Sequence, residues 1–369
     1  MNQEKILAFA TKGASSNEEL RILTLLQAFD VVTFPFNYHA KLQSCLGIIQ
    51  IAIALKPKLV VMEGTGIAGG LACLYLALIH RIPYVFSSGD AIAPFIGLKY
   101  PLLVPIFALY EQILCQFCAG FIGWTPYLVG RSLTLGAPKA MTAAGWAHFP
   151  SSSEQLKASR AEIRQQLGIP DQALVFGLLG SLVWNARFQY CYGYELIQAF
   201  RQINRSEVCL LIVGDGNGLS HLKTLAGKDL NQSVFLPGNV PLQQVIPYLS
   251  AIDVASLPQS VDGVGSFRYT TKISEYWAAN LPMAISQTPM AYDICRGWTW
   301  CLPGAKPWSQ TYIASLAQVM ANLTQAEILT KKQAIPAHLP EFDQEQQVQR
   351  VSSFIADILK DRFPTIDRK

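Results

Sequence analysis

The chain has 369 residues, of which 51% are hydrophobic and only 15% charged. That excludes a disordered or charge-driven chain, because the apolar surface is ample to offset chain entropy, and the length suggests about two domains. A net charge of +4 without any run of Lys and Arg gives no electrostatic footprint for nucleic acid, so no nucleic-acid partner is expected.

In chain order, residues 6–11 are an apolar run closed by turn residues and read as a first strand. Residues 1–9 are too short for a secretory leader and sit among Glu4, Glu18 and Glu19, so a cytoplasmic chain is expected. Ser16-Asn17-Glu18-Glu19 fits a capping box and opens a helix toward Phe29. A strand at 31–34, an apolar helix at 43–54 ending before Pro57, and a buried strand at 59–62 follow. The glycine-rich turn 64–70 leads into a helix at 71–80, and Pro83 introduces a strand at 84–87. Continuous apolar strands alternating with helices predict a parallel sheet covered on both faces.

Residues 91–130 are apolar and interrupted by Pro94, Pro101, Pro105 and Pro126. The longest uncharged stretch, 112–130, contains Gln112, Gln116, Thr125 and Pro126 and suits a membrane span poorly. Irregular helices with an exposed apolar face are expected, either meeting a membrane surface or packing as core. The eight cysteines lie scattered in apolar runs and read as reduced, buried thiols; Cys115-Gln-Phe-Cys118 has no second pair and reads as structural.

After Pro150 the composition turns polar through Ser151, Ser152, Ser153 and a helix at 154–167. A second series follows: strands at 174–179, 208–213, 234–236, 254–257 and 283–286, with helices at 194–203, 245–249 and 272–279, and an amphipathic helix at 344–360. The expected fold class is α/β, two doubly wound Rossmann-like domains facing across a cleft. The first is 1–165, the second 166–340, and 341–369 is a C-terminal helix returning to the first. Ligands in such sheets bind beyond the carboxyl ends of strands.

Gly214-Asp215-Gly216-Asn217-Gly218 follows a strand and opens a helix, but its spacing is GxGxG and it follows the second strand of its domain. That argues against the dinucleotide fingerprint and leaves a tight turn as the plain alternative. Glu275 lies one turn into a helix, Lys272 three residues before it, and Arg268 in the preceding loop. One carboxylate for a sugar diol beside cations for phosphates suits a nucleotide diphosphate; a solvated Lys–Glu pair is the alternative. The Gly13-Ala14-Ser15-Ser16 turn offers amides before a capped helix, which suits an anion or makes a plain turn. Phe188, Tyr190, Tyr192 and Tyr194 either stack on a base or pack as core. His39 follows a strand end and could line the cleft; with His80 and His148 it shows no metal-ligand spacing, so no metal is expected.

The segments 210–216, 234–240, 245–249, 252–258 and 272–286, in this order, resemble the C-terminal domain of the retaining GT-B enzymes called glycosyl transferases group 1, of the family four type. The resemblance covers 174–286 closely. The first half resembles the family more loosely, through 57–70, Gly89-Asp90 and 136–146. It implies transfer of a sugar from a nucleotide-diphosphate sugar with retention and with neither metal nor cofactor. Members carry two glutamates, the first contacting the donor sugar; its place here is Phe267, and Asp262-Gly263-Val264-Gly265 is the nearest substitute. By that resemblance Asp262 and Glu275 take the catalytic roles, while the amides of Gly263 and Gly265 cradle the donor. Gly214 and Asp215 join the donor site. Members place an Arg after the glycine at 180 and a Lys farther on; here Ser181 stands in the first place and Arg187 takes the second role. The family uses the Gly13 turn near the donor phosphates or the acceptor, and Asp90 falls where acceptor contacts belong. The apolar 91–130 region points to a lipid-linked or polysaccharide acceptor and to peripheral contact with the inner face of the cytoplasmic membrane. The rival readings are a nucleotide-sugar epimerase of the same architecture, a non-catalytic nucleotide-sugar-binding subunit, and a nicotinamide dehydrogenase.

Overall fold

The computed structural model describes residues 5–146 and 152–361. His148, Pro150 and Ser151 lie outside them. The chain forms two compact units. The first comprises Met1–Gly145, Phe267–Tyr269 and Leu339–Lys369; the second comprises Trp146–Ser266 and Thr270–His338.

The first unit runs β1 (Lys5–Ala10), α1 (Asn17–Leu25), β2 (Asp30–Thr33), α2 (Lys41–Leu55), β3 (Leu59–Glu63), α3 (Ile67–Ile79) and β4 (Tyr84–Ser88). Then come α4 (Ile92–Gly97), a 3-10 turn at Pro101–Leu103, α5 (Val104–Phe117), β5 (Gly120–Gly123), α6 (Pro126–Thr134) and β6 (Ala140–Thr142). All six strands are parallel in the order β2-β1-β3-β4-β5-β6. Right-handed crossovers therefore put α1 on one face and α2, α3, α5 and α6 on the other. The capping box at Ser16 forms with a shift of one residue. Ser16 Oγ accepts from the Glu19 amide at 3.2 Å, but the Glu19 carboxylate takes the amide of Ser15 at 2.6 Å.

The apolar stretch 112–130 divides into three elements: the end of α5, the buried strand β5, and α6, opened by Thr125 accepting from Leu128. Its lack of charge around 120–123 reflects a strand buried on both faces of a parallel sheet. Cys115 and Cys118 are buried here, and burial pushes the Cys115 thiol up to about 12. Among the described residues no helix is long and apolar enough to cross a membrane.

The second unit runs α7 (Ser153–Leu167), β7 (Leu174–Leu179), α8 (Tyr194–Phe200), β8 (Val208–Val213), α9 (Leu219–Ala226), β9 (Val234–Gly238), α10 (Val245–Ser250) and β10 (Val254–Leu257). It continues through α11 (Lys272–Ala278), β11 (Met283–Ser286), α12 (Pro289–Tyr292), β12 (Thr299–Leu302), α13 (Gln310–Asn322) and α14 (Gln325–Gln333). The final helix, α15 (Gln344–Lys360), packs in the first unit against α1 and β5, where Phe354 and Ile358 lie over Gly120. The second sheet is also six-stranded and parallel, in the order β12-β11-β10-β7-β8-β9. Read from its other edge, that is the 3-2-1-4-5-6 order of a doubly wound sheet. Both sheets thus have the fold class that the sequence predicts.

The compact-unit boundary falls at Gly145, earlier than the expected 165, so that α7 belongs to the second unit. The reason is a buried anchor. Arg164 donates to Asp253 at 2.8 Å and to the carbonyls of Ala251, Asp171 and Ala173, while Arg160 donates to the other Asp253 oxygen at 2.7 Å.

Candidate nucleotide-binding site

In a doubly wound sheet the crevice opens where strand order reverses, at the carboxyl ends of the two central strands. In the second unit those strands are β7 and β10, and a pocket of about 230 Å³ lies there. Leu178 of β7, Ser256 and Leu257 of β10, and the neighbouring Tyr192, Gln259 and Lys272 line it. Lys272 opens α11 and reaches back over the turn after β7. Its ammonium lies 5.4 Å from the Tyr192 ring, and a methyl group on Gly180 would come within 2.4 Å of its Cε. Ser181 follows that glycine and is exposed.

Glu275 sits one turn farther along α11. Burial pushes its carboxyl up, against the pull of Lys272, and its Oε2 is buried without a hydrogen-bond partner. A buried carboxylate oxygen left unpaired costs folding free energy and is a natural acceptor for ligand hydroxyls.

The glycine-rich turn after β8 has a definite structural role. Gly214 is at φ +140°, and a Cβ there would stand 1.8 Å from the Gly180 carbonyl oxygen. Gly218 donates to the Leu182 carbonyl at 2.8 Å, and Leu182 donates to that of Asp215 at 2.9 Å. The glycines thus let the turns after β7 and β8 pack backbone to backbone. The Asp215 carboxylate accepts from the Gly216 amide at 2.7 Å.

Other expected site residues have different partners. Asp262 closes its own loop: its Oδ1 accepts from Ser260, Val264 and Gly265, and its Oδ2 from Lys306. Burial opposes the charge, but these bonds prevail and hold Asp262 down at about 2. Gly265 is obligatory there, since a Cβ would stand 1.9 Å from the Ser260 carbonyl oxygen; Gly263 is exposed at the loop tip. Arg187 is exposed on the turn bridged by Asn185 and Tyr190, with its guanidinium 5.4 Å from the Phe188 ring. Phe188 in turn stacks on Trp308 at 4.8 Å. Tyr190 is core, packed 4.9 Å from the same Trp308.

In the first unit, Arg268, expected among the donor phosphates, donates to Asp90 at 2.6 Å, so these two expected site residues meet each other. Asp90 borders a second pocket of about 250 Å³, with Ser88, Thr65, Glu111 and Arg131 also in its wall. Glu111 and Arg131 form a two-point pair at 2.7 Å. The turn at Gly13 is not an anion cradle. The amides of Gly13, Ala14, Ser15 and Ser16 donate to Ala10, Phe36, Glu19 and Gly13 respectively, so all four are engaged within the fold. His39 is exposed before α2, edge-on to Tyr38.

Sequence reasoning missed Lys306, which binds Asp262; Trp308, which stacks on Phe188; and Gln259, whose backbone amide donates to Ser286. No local spacing signals these long-range contacts. The pocket at the strand-order reversal falls inside a stretch with a recognisable relative. Residues 174–322 match the family model described as Glycosyl transferases group 1. This group 1 segment runs from β7 through α13 and contains Lys272, Glu275 and every pocket-lining residue. No curated protein matches the chain by sequence.

Solved structures show the fold over nearly the whole length. HepE of Anabaena, in complex with UDP and glucose, is 16% identical, with a TM-score of 0.69 over 96% of this chain and 100% of that one. Sucrose-phosphate synthase of Thermosynechococcus elongatus is 13% identical, with a TM-score of 0.68 over 96% and 99%. A Listeria monocytogenes protein assigned as a UDP-N-acetylglucosamine 2-epimerase is 13% identical, with a TM-score of 0.60 over 100% of both chains. The architecture is that of GT-B proteins, two Rossmann-like domains, and the group 1 segment occupies the second.

Proposed function

We propose that this chain is a glycosyltransferase that takes a sugar from a nucleotide-diphosphate donor, with retention and without a metal, and passes it to a saccharide or lipid-linked acceptor. The observation that carries the reading is the pocket at the β7–β10 strand reversal, with Lys272 across the Gly180 turn and the unpaired Glu275 oxygen one turn along the same helix, within the group 1 segment. In this reading Glu275 accepts the ribose hydroxyls. Lys272 neutralises charge that grows on the departing diphosphate, and a fixed cation at that point lowers the barrier without rearrangement during reaction. Ser181 and the turn at Gly214 border the diphosphate, and Arg187 supplies a second cation from its exposed turn. Asp90 and its pocket serve the acceptor side. HepE, whose structure holds UDP and glucose, supports a uridine nucleotide as the first donor to test.

The test begins with thermal shift against UDP, GDP and uridine, followed by radiolabelled UDP-sugar turnover. UDP is expected to raise the melting temperature. Lys272→Ala should weaken UDP by roughly tenfold to a hundredfold and uridine little, because a charge-assisted bond contributes about 1.5–3 kcal/mol. Glu275→Gln should weaken both ligands. Equal loss for UDP and uridine in Lys272→Ala would show that the lysine acts through folding. Conversion of the donor sugar with no acceptor present would point instead to an epimerase.

A further inference from the structure

The outer face of the first unit is apolar over three helices, α2, α3 and α5. α2 and α3 pack side by side on one side of the sheet, and α3 packs on α5. Together the three carry two charged residues, Lys41 at the very start of α2 and Glu111, which is buried against Arg131. Large side chains stand outward: Leu42 and Leu46 on α2, Leu71 and Leu78 on α3, Leu102 in the 3-10 turn before α5, and Ile106 in the first turn of α5. Leu102 is 92% exposed, Leu42 74% and Ile106 63%. Among the described residues only Val183, Leu242, Tyr292 and Leu329 are comparable in the second unit. Such a contiguous face marks an interaction surface.

Charge decides what covers it. Within 31–110 the cations are Lys41, Lys56, Lys58, Arg81 and Lys99, all exposed and all at helix ends or in adjoining turns. The only carboxylates in that stretch are Glu63, buried with Arg21, and Asp90, paired with Arg268. An apolar face rimmed by one sign of charge fits an anionic lipid surface, where side-chain stems and Tyr75 and Tyr100 share the headgroup layer. It disfavours a two-fold contact with a second copy, which would set the same cations against each other.

We propose that the α2–α3–α5 face binds the surface of an anionic lipid bilayer. The proposal goes beyond the donor reading and relocates the membrane contact expected at 91–130, since α2 and α3 supply much of the face. Binding would hold the Asp90 pocket, at the carboxyl ends of the same sheet, close to the headgroups.

The experiment is co-sedimentation of the full chain, without nucleotide, with phosphatidylcholine vesicles and with vesicles also containing phosphatidylglycerol. The chain should pellet with the anionic vesicles and be released by high salt, which screens the rim charges. Leu42→Ser with Leu102→Ser and Ile106→Ser should weaken binding about tenfold or more, while UDP binding, read by thermal shift, stays unchanged. Lys56→Glu with Lys58→Glu should remove the preference for anionic vesicles. Failure of the intact chain to pellet with either vesicle overturns the proposal. So does equal pelleting by the triple variant, or a concentration-dependent dimer that the same substitutions dissolve. None of these outcomes touches the donor assignment, which UDP binding tests separately.

Discussion

Glu195 lies without exposed surface at the start of α8, where its carboxylate accepts from Tyr190 Oη at 3.0 Å and from the Gly193 amide. Burial dominates and raises it from 4.5 to about 7. The folded state therefore keeps a proton that the unfolded chain releases. Its contribution is full below about pH 4.5 and falls as pH rises to about 7, by about 3 kcal/mol in all. Urea midpoints across that window should decline in the wild type, and Glu195→Gln should flatten the decline. An unchanged slope would place the titrating group elsewhere. At this scale the sequence was legible only where chemistry is local. Lys272 and Glu275, three apart, were readable as one helix face. The Asp90–Arg268 and Asp262–Lys306 pairs were not, because each joins segments that no periodicity connects.

The elements were more legible than the pairs. Leu174–Leu179 and Val208–Val213 read as strands because a parallel sheet buried on both faces demands unbroken apolar runs. The same rule hid β5: Gly120-Phe121-Ile122-Gly123 is equally apolar but has glycine at both ends and merges with the helix before it. The attachment of α7 was also illegible, since it depends on Asp253, 89 residues from Arg164. That attachment yields a firm prediction. Asp253 is the only acid paired with either arginine among the described residues, and it also accepts from the Val175 amide at 2.8 Å. Asp253→Ala leaves Arg164 buried without its counter-charge and should cost about 3–5 kcal/mol, read as a lower denaturant midpoint. Replacing Arg164 by Met in the same chain should recover part of it; no recovery would mean that the lost Val175 bond dominates.

At the scale of the molecule, each unit has its own sheet and core, and the first is discontinuous in sequence. It takes in Phe267–Tyr269 and α15 as well as Met1–Gly145. Thr125 Oγ1 donates to the Phe267 carbonyl at 2.8 Å, and the Gly145 carbonyl accepts from Tyr269 Oη at 3.2 Å. Val351, Ile355 and Ile358 are the buried stripe of α15. A fragment of residues 1–145 should therefore fail to unfold cooperatively, because α1 alone is left to cover its face of the sheet. Joining 339–361 to it through a flexible linker should restore a sigmoidal urea transition by circular dichroism. A cooperative transition in the short fragment would show that α15 is dispensable.

That discontinuity also sets an order of events on the ribosome. The strands of the first sheet emerge earliest, yet the helix that covers one side of it is encoded after the whole second unit. The second unit can complete its core while the first still waits for residues 339–361. For that interval the nascent chain exposes both the part of the α1 side that α15 later covers and the apolar outer sides of α2, α3 and α5. A chaperone that holds apolar segments has its longest window there, on the half that is synthesised first and finished last.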